Sequence, residues 1–276
     1  MATCYRHPAR ETGVSCSNCD RPICPDCMTS TPVGMRCPEC AKQRTKVHTI
    51  SSVGGGHLPR VTQAIIGICI VAFLAGGNFG LEGTNGSWID RNGVLFRAGI
   101  EQHDYWRLVT SGFLHAGLIH IAFNMLLLWF LGSEIEGKLG GPRFALLYLV
   151  ALLGGSLGAM IQTTNPLQGT VGASGAVFGL AGYLLVEMRR RGENPFQSQL
   201  GFLLLINLVL SFRPGVSWGG HLGGLVFGAL AAFVLYEGSR RGPRWLGPAL
   251  CGGLCVVAVI GSIVVAGSSE QTVRFG

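Results

Sequence analysis

Charge is scarce in this chain. Asp, Glu, Lys and Arg make up only 13% of its 276 residues, against about 25% in soluble domains. Hydrophobic residues make up 48%, and the mean hydropathy is +0.42. So little charge excludes an ordinary soluble globular protein and points to a membrane protein. Acidic residues are the scarcer sign, 14 against 21 basic, for a net charge of +7. The basic residues lie mostly between apolar runs, not in one patch, so topology explains them and nucleic acid is not the expected partner. Also lacking is a cleavable leader: residues 1–60 are polar and cysteine-rich, so the N-terminus is expected to be retained. Glycine is plentiful, with 43 residues, which suits membrane helices that associate through close backbone contact.

Seven of the ten cysteines precede residue 41, whereas Cys69, Cys251 and Cys255 lie in apolar runs and read as small buried hydrophobes. The early ones form pairs: Cys4-x-x-His7, Cys16-x-x-Cys19, Cys24-x-x-Cys27 and Cys37-x-x-Cys40. Each pair can grip a tetrahedral zinc, and four pairs supply the ligands for two ions. A disulfide scaffold fits less well, because seven is an odd number and His7 stands where an eighth cysteine would be. The spacing resembles the B-box-type zinc finger, which implies that the first and third pairs share one zinc and the second and fourth the other. Val14, Ile23, Val33 and Met35 are the main candidates for an apolar core in this segment, so metal is expected to supply most of its folding energy.

Four parts are expected: a zinc-binding module over 1–41, a basic flexible linker over 42–60, a six-span membrane core over 61–236, and a seventh span with a short tail over 237–276. The linker carries Lys42, Arg44, Lys46 and the run Gly54-Gly55-Gly56. Apolar runs near 61–80, 113–132, 143–163, 174–189, 198–213, 218–236 and 246–267 predict an all-α polytopic membrane protein. With a cytoplasmic N-terminus, Lys138 and Arg143, Arg189-Arg190-Arg191, and Arg240-Arg241 with Arg244 all face the cytoplasm. That orientation also keeps the thiolates in a reducing compartment. The connection over 81–112 is then external, and its Trp88, Phe96, Tyr105, Trp106 and Arg107 read either as an interfacial element or as a surface loop.

In this topology the fourth and sixth spans run the same way, so Ser174 and His221, each near the start of its span, fall at similar depth. Gly175, Gly179 and Gly182 follow the serine, and Gly220, Gly224 and Gly228 form a stripe along the sixth span. A neutral imidazole within reach of the hydroxyl can take its proton and activate it. On the second span His120 and Asn124 share a face, and with the Ser174 backbone N–H they can bind an oxyanion. No carboxylate is placed at that depth, which predicts a dyad.

The set Trp106-Arg107, His115 with His120-x-x-x-Asn124, Gly172-x-Ser174-Gly175 and His221 before Gly223-Gly224 resembles the rhomboid family of intramembrane serine proteases, over roughly residues 61–236. The resemblance implies Ser174 as nucleophile, His221 as base, and His120 with Asn124 in the oxyanion hole. It also implies that Gly172, Ala173 and Phe178 adjoin the substrate and that Trp106-Arg107 belongs to an interfacial loop. Glu136 would be a structural hydrogen-bond site, and His115 a support below the reacting groups. Phe178 stands where many rhomboids carry a tyrosine stacked on the base, so the ring face is kept and the hydroxyl lost. The implied activity is cleavage of transmembrane proteins near their external ends, in the plasma membrane, with no catalytic cofactor and with a cytoplasmic partner for the zinc module. The alternative is a non-proteolytic rhomboid-like protein that binds spans and recruits partners; such relatives usually lack the serine or the histidine, and both are present here.

Overall fold

A computed structural model describes residues 2–31, 34–42, 58–81 and 85–273. The chain divides into two compact units, Met1–Gly56 and His57–Gly276.

In the first unit β1 (Ala2–Thr3) pairs antiparallel with β2 (Glu11–Thr12), and β3 (Thr29–Thr31) with β4 (Gly34–Arg36). A single helical turn, α1 (Pro38–Lys42), follows. Such short elements bury little carbon. Of the expected apolar core only Ile23 is fully buried; Val14 and Met35 are 39% and 40% exposed, and Val33 lies outside the described residues. The interior is instead made of sulfur, with Cys4, Cys16, Cys24, Cys27, Cys37 and Cys40 packed around Ile23. Most of the expected linker, residues 43–57 with Arg44 and Lys46, also lies outside the described residues.

The second unit is helical, and each of the seven apolar runs contains a helix. These are α2 (Arg60–Gly76), α6 (Leu118–Leu139), α7 (Gly141–Gln162), α8 (Ser174–Arg190), α9 (Gln199–Leu210), α10 (Trp218–Arg241) and α11 (Leu246–Val273). Four of them, α6, α7, α10 and α11, are long and apolar enough to cross a membrane by themselves. The run near 61–80 ends early because Gly77, at φ 66°, turns the chain left-handed and accepts no further helix. The run near 198–213 forms a helix of 12 residues, stopped before Arg213-Pro214.

Close backbone contact shapes the centre of this unit. A Cβ built on Gly224 of α10 would lie 1.9 Å from the Gly175 carbonyl oxygen of α8, and one on Gly228 would lie 2.0 Å from that of Gly179. On the other side of α10, a Cβ on Gly223 would lie 2.3 Å from the Gly154 oxygen of α7. Only glycine fits at these contacts, so α10 is wedged between α7 and α8 at backbone distance.

The connection before α6 holds three short helices, α3 (Trp88–Gly93), α4 (Arg97–Glu101) and α5 (Arg107–Thr110). Ser87 and Asp90 form a reciprocal capping box that starts α3. Buried Arg107 is the hub: it pairs with Asp104 at 2.8 Å, donates to the Arg91 and Val94 carbonyls, and lies over the Phe96 ring. Trp106 donates from its indole to the Asn92 carbonyl. A structured element, not an irregular loop, therefore precedes α6. Leu95 pairs with Thr170, and the Ala98 N–H donates to the Pro166 carbonyl, so this element also holds the segment leading into α8. At the far end of α6, buried Glu136 accepts from the Val61 and Thr62 N–H groups and the Thr62 hydroxyl, capping α2 from a neighbouring helix.

Candidate active site

Ser174 opens α8, and the turn before it is fixed from several directions. Gly172 has φ 129°, a conformation open to glycine, and its N–H donates to the Ser111 carbonyl. The Ala173 N–H points to Nε2 of buried His115 at 3.5 Å. Helix α10 is anchored just before His221: Gln162 Oε1 accepts from the Gly219 N–H and the Ser217 hydroxyl, and Ser217 Oγ caps the Gly220 N–H.

These supports bring two residues 47 positions apart together. His221 Nε2 lies 2.8 Å from Ser174 Oγ. Phe178, one helical turn after the serine, stacks flat on the imidazole with ring centroids 4.2 Å apart and planes 12° apart. The ring face anticipated at this position is therefore used without a hydroxyl. A histidine so clamped, facing a hydroxyl at hydrogen-bond distance, is the arrangement that activates a serine. The second ring nitrogen, Nδ1, faces Ser211 Oγ at 2.5 Å. Nothing in the sequence pattern singled out Ser211, because its proximity depends on the turn between α9 and α10.

His120 and Asn124 stand on the facing side of α6. His120 Nδ1 accepts from the Ala116 N–H at 3.2 Å, which places the ring proton on Nε2. That Nε2 points toward Gly172, where a Cβ would come within 2.8 Å of it. Asn124 is buried and spends one amide N–H on the His120 carbonyl at 2.9 Å. A primary amide carries two such hydrogens, so another is left for the cleft. The cleft has a volume of about 1030 Å3 and is lined by His120, Asn124, Gly172, Ser174, Phe178 and His221, among others. Ala173 and His115 are fully buried behind that wall and do not line it. His115 meets His120 edge to face at 5.1 Å.

The family model of the rhomboid domain matches residues 102–238, from the segment before Trp106 to the last turn of α10. "Putative rhomboid protease YdcA" of Bacillus subtilis is 32% identical over 151 residues, which cover 53% of this chain and 75% of that protein. This chain belongs to the rhomboid family. It is also 33% identical over 225 residues to "Rhomboid protease GluP" of Bacillus subtilis, covering 78% of this chain and 43% of the relative. With "RHOMBOID-like protein 1" of Arabidopsis thaliana it shares 38% identity over 157 residues, covering 52% and 40%. The chain thus spans less than half the length of these last two relatives. As a multi-pass member of the family, it places the serine and histidine at the start of two parallel helices.

The opposite ends of those helices carry the basic runs. Lys138, at the end of α6, contacts Glu187 of α8 at 3.3 Å, and Arg190 of α8 lies over the Tyr236 ring of α10. Cations there complement the helix C-termini.

Two metal-competent clusters lie in the first unit, Cys4-His7-Cys24-Cys27 and Cys16-Cys19-Cys37-Cys40, each with its ligand atoms within 4.8 Å of one another. The pairs combine first with third and second with fourth, the grouping that the B-box resemblance implies. Cys19 and Cys37 sulfurs are 3.9 Å apart, and His7 Nδ1 is 3.3 Å and 3.5 Å from the Cys24 and Cys27 sulfurs. Ligands about 2.3 Å from a tetrahedral zinc sit roughly 3.8 Å from each other, so the donor sets fit such an ion. Thiol chemistry agrees. The Cys37 N–H donating to its sulfur leads in drawing Cys16 down to about 6, while burial and then the neighbouring sulfurs push Cys27 up to about 11. Thiolates crowded this way need a cation among them to ionise together.

Proposed function

We propose that this chain is an intramembrane serine endopeptidase in which Ser174 is the nucleophile and His221 the general base. The observation that carries this is the 2.8 Å approach of His221 Nε2 to Ser174 Oγ in a cleft. The hydroxyl proton passes to Nε2 as Oγ attacks the peptide carbonyl. The resulting imidazolium then protonates the leaving amine, and water releases the acyl group by the same route in reverse. Negative charge on the tetrahedral oxygen meets the Nε2–H of His120, the Asn124 amide and the unpartnered N–H groups at the start of α8. Missing side chain at Gly172 leaves room for that oxygen in front of His120.

Substrates are transmembrane proteins cut near their external ends. The membrane is the plasma membrane, and the positive-inside pattern favours a cytoplasmic N-terminus with the cleft toward the external face. The first unit holds two structural zinc ions and serves a cytoplasmic partner or a regulatory role.

The test uses the full-length protein in detergent with a fluorophosphonate probe and a model transmembrane substrate. Ser174→Ala and His221→Ala should each abolish labelling and cleavage while expression and thermal unfolding stay as in the wild type. Cleavage by Ser174→Ala near the wild-type rate would remove the serine from its role.

A further inference from the structure

The base has a third partner that is not a carboxylate. Ser211, buried in the last turn leaving α9, places Oγ 2.5 Å from His221 Nδ1 and 2.7 Å from the Asn207 carbonyl oxygen one turn back. These two distances fix every proton. A carbonyl brings none of its own, and two oxygens 2.7 Å apart repel unless a proton lies between them, so the Ser211 hydroxyl must donate to Asn207. Its single proton is then spent. The 2.5 Å contact to the ring therefore needs its proton from the imidazole, which puts it on Nδ1. Nε2 is left with a lone pair, and that lone pair faces the Ser174 hydroxyl.

The geometry points to Ser211 as the positioning residue of the catalytic base, in a chain that runs from Ser174 through His221 and Ser211 to the Asn207 carbonyl. This rests on the serine-protease reading given above and extends it. Each link donates in one direction: Ser174 Oγ–H to Nε2, Nδ1–H to Ser211 Oγ, and Ser211 Oγ–H to the carbonyl. When Ser174 gives up its proton and bonds to the substrate carbon, Nε2 gains that proton and Nδ1 keeps its own. The Nδ1–H···Oγ bond then becomes charge-assisted, and behind it stands a carbonyl at the negative end of α9. The Asn207 oxygen also accepts the Ser211 N–H at 3.0 Å, which holds the acceptor in place. Phe178 restrains the ring plane from one face, and Ser211 sets its rotation within that plane. In a Ser-His-Asp triad a carboxylate holds the tautomer and stabilises the imidazolium. Here a neutral hydroxyl backed by a backbone dipole does both, at no cost of burying a carboxylate in the membrane.

The experiment compares full-length wild type, Ser211→Ala and Ser211→Thr, with Ser174→Ala as the blank. It reads kcat and KM on a transmembrane substrate, fluorophosphonate labelling rate, and the ring nitrogen shifts of 15N-histidine-labelled protein. Ser211→Ala should lower kcat and the labelling rate about 10- to 30-fold, the rate equivalent of one hydrogen bond, with KM little changed. Ser211→Thr, which keeps Oγ, should restore most of the rate. Wild type and Ser211→Thr should show His221 protonated on Nδ1, and Ser211→Ala a mixture of tautomers. A wild-type kcat in Ser211→Ala, an equal loss in Thr and Ala, or a wild-type ring protonated on Nε2 would each overturn the assignment while leaving Ser174 and His221 in their roles. Should Ser211→Ala fail to fold, the Thr variant and the wild-type ring shifts decide the matter alone. If Ser174→Ala still cleaves, the serine-protease reading fails first and takes this inference with it.

Discussion

A single proton assignment decides what His120 can offer the cleft. Because the Ala116 N–H occupies Nδ1, Nε2 must carry the hydrogen, and it faces the space that Gly172 leaves open. Asn124 supports this twice, by holding the His120 carbonyl and by presenting its remaining amide N–H. An interaction of that kind gains strength only as charge develops on the substrate oxygen, so Asn124→Ala should lower kcat about 10²-fold with little change in KM. Steady-state kinetics on a transmembrane substrate will show this, and a defect confined to KM would reassign Asn124 to helix packing. That Ser174, His221, His120 and Asn124 meet at one cleft was legible in the sequence, because polar side chains in apolar runs are costly to bury and so stand out. Ser211 was not. A serine near a span end is ordinary, and its place beside His221 depends on how residues 212–217 turn the chain back. Ala173 shows the opposite limit: it adjoins Ser174 in sequence, yet it is buried in the protein.

At the scale of elements, packing of α10 against α8 sets the distance between Ser174 and His221. Gly224 carries that contact: a Cβ there would lie 1.9 Å from the Gly175 oxygen and 2.6 Å from its carbonyl carbon, and backbone atoms cannot swing aside. Gly224→Ala should therefore push the helices apart beside Ser174, costing about 1–3 kcal/mol or more of stability and most of the probe labelling. Gly67→Ala in α2 is the control, since a Cβ at that position meets nothing within 4 Å. It should leave labelling intact and leave stability unchanged or raise it by up to about 1 kcal/mol. Labelling rates and thermal unfolding of the two variants check this, and equal behaviour would mean that the helices adjust freely. The stripe on α10 was visible in the four-residue spacing of its glycines, as were the spans themselves. Helices α3 to α5 were harder to see, because short elements held by one buried arginine carry little periodicity, although Ser87-x-x-Asp90 was a readable cap. Span ends were misplaced for local reasons, at the left-handed Gly77 and at Arg213-Pro214.

Taken as a whole, the molecule joins two units stabilised by different means. Van der Waals contact between apolar helices builds the larger one, and no metal-ligand cluster enters its cleft among the described residues. The smaller unit has one fully buried isoleucine in its core and relies on sulfur, so its fold should depend on metal. Eight ligands at four per tetrahedral ion predict about two zinc per chain by metal analysis of the purified full-length protein. Removing them with a strong chelator should unfold residues 2–42, which protease sensitivity and new thiol reactivity at Cys4, Cys16 and Cys24 will report. Fluorophosphonate labelling of Ser174 in the same sample should stay near its starting rate, because none of Ser174, His221, His120 and Asn124 belongs to either metal-competent cluster. Cys24→Ser should reproduce the chelator's effect on one cluster without lowering labelling. Loss of labelling on chelation, recovered when zinc is returned, would show that the first unit holds the membrane helices in their active arrangement and would make the metal a regulator of the protease.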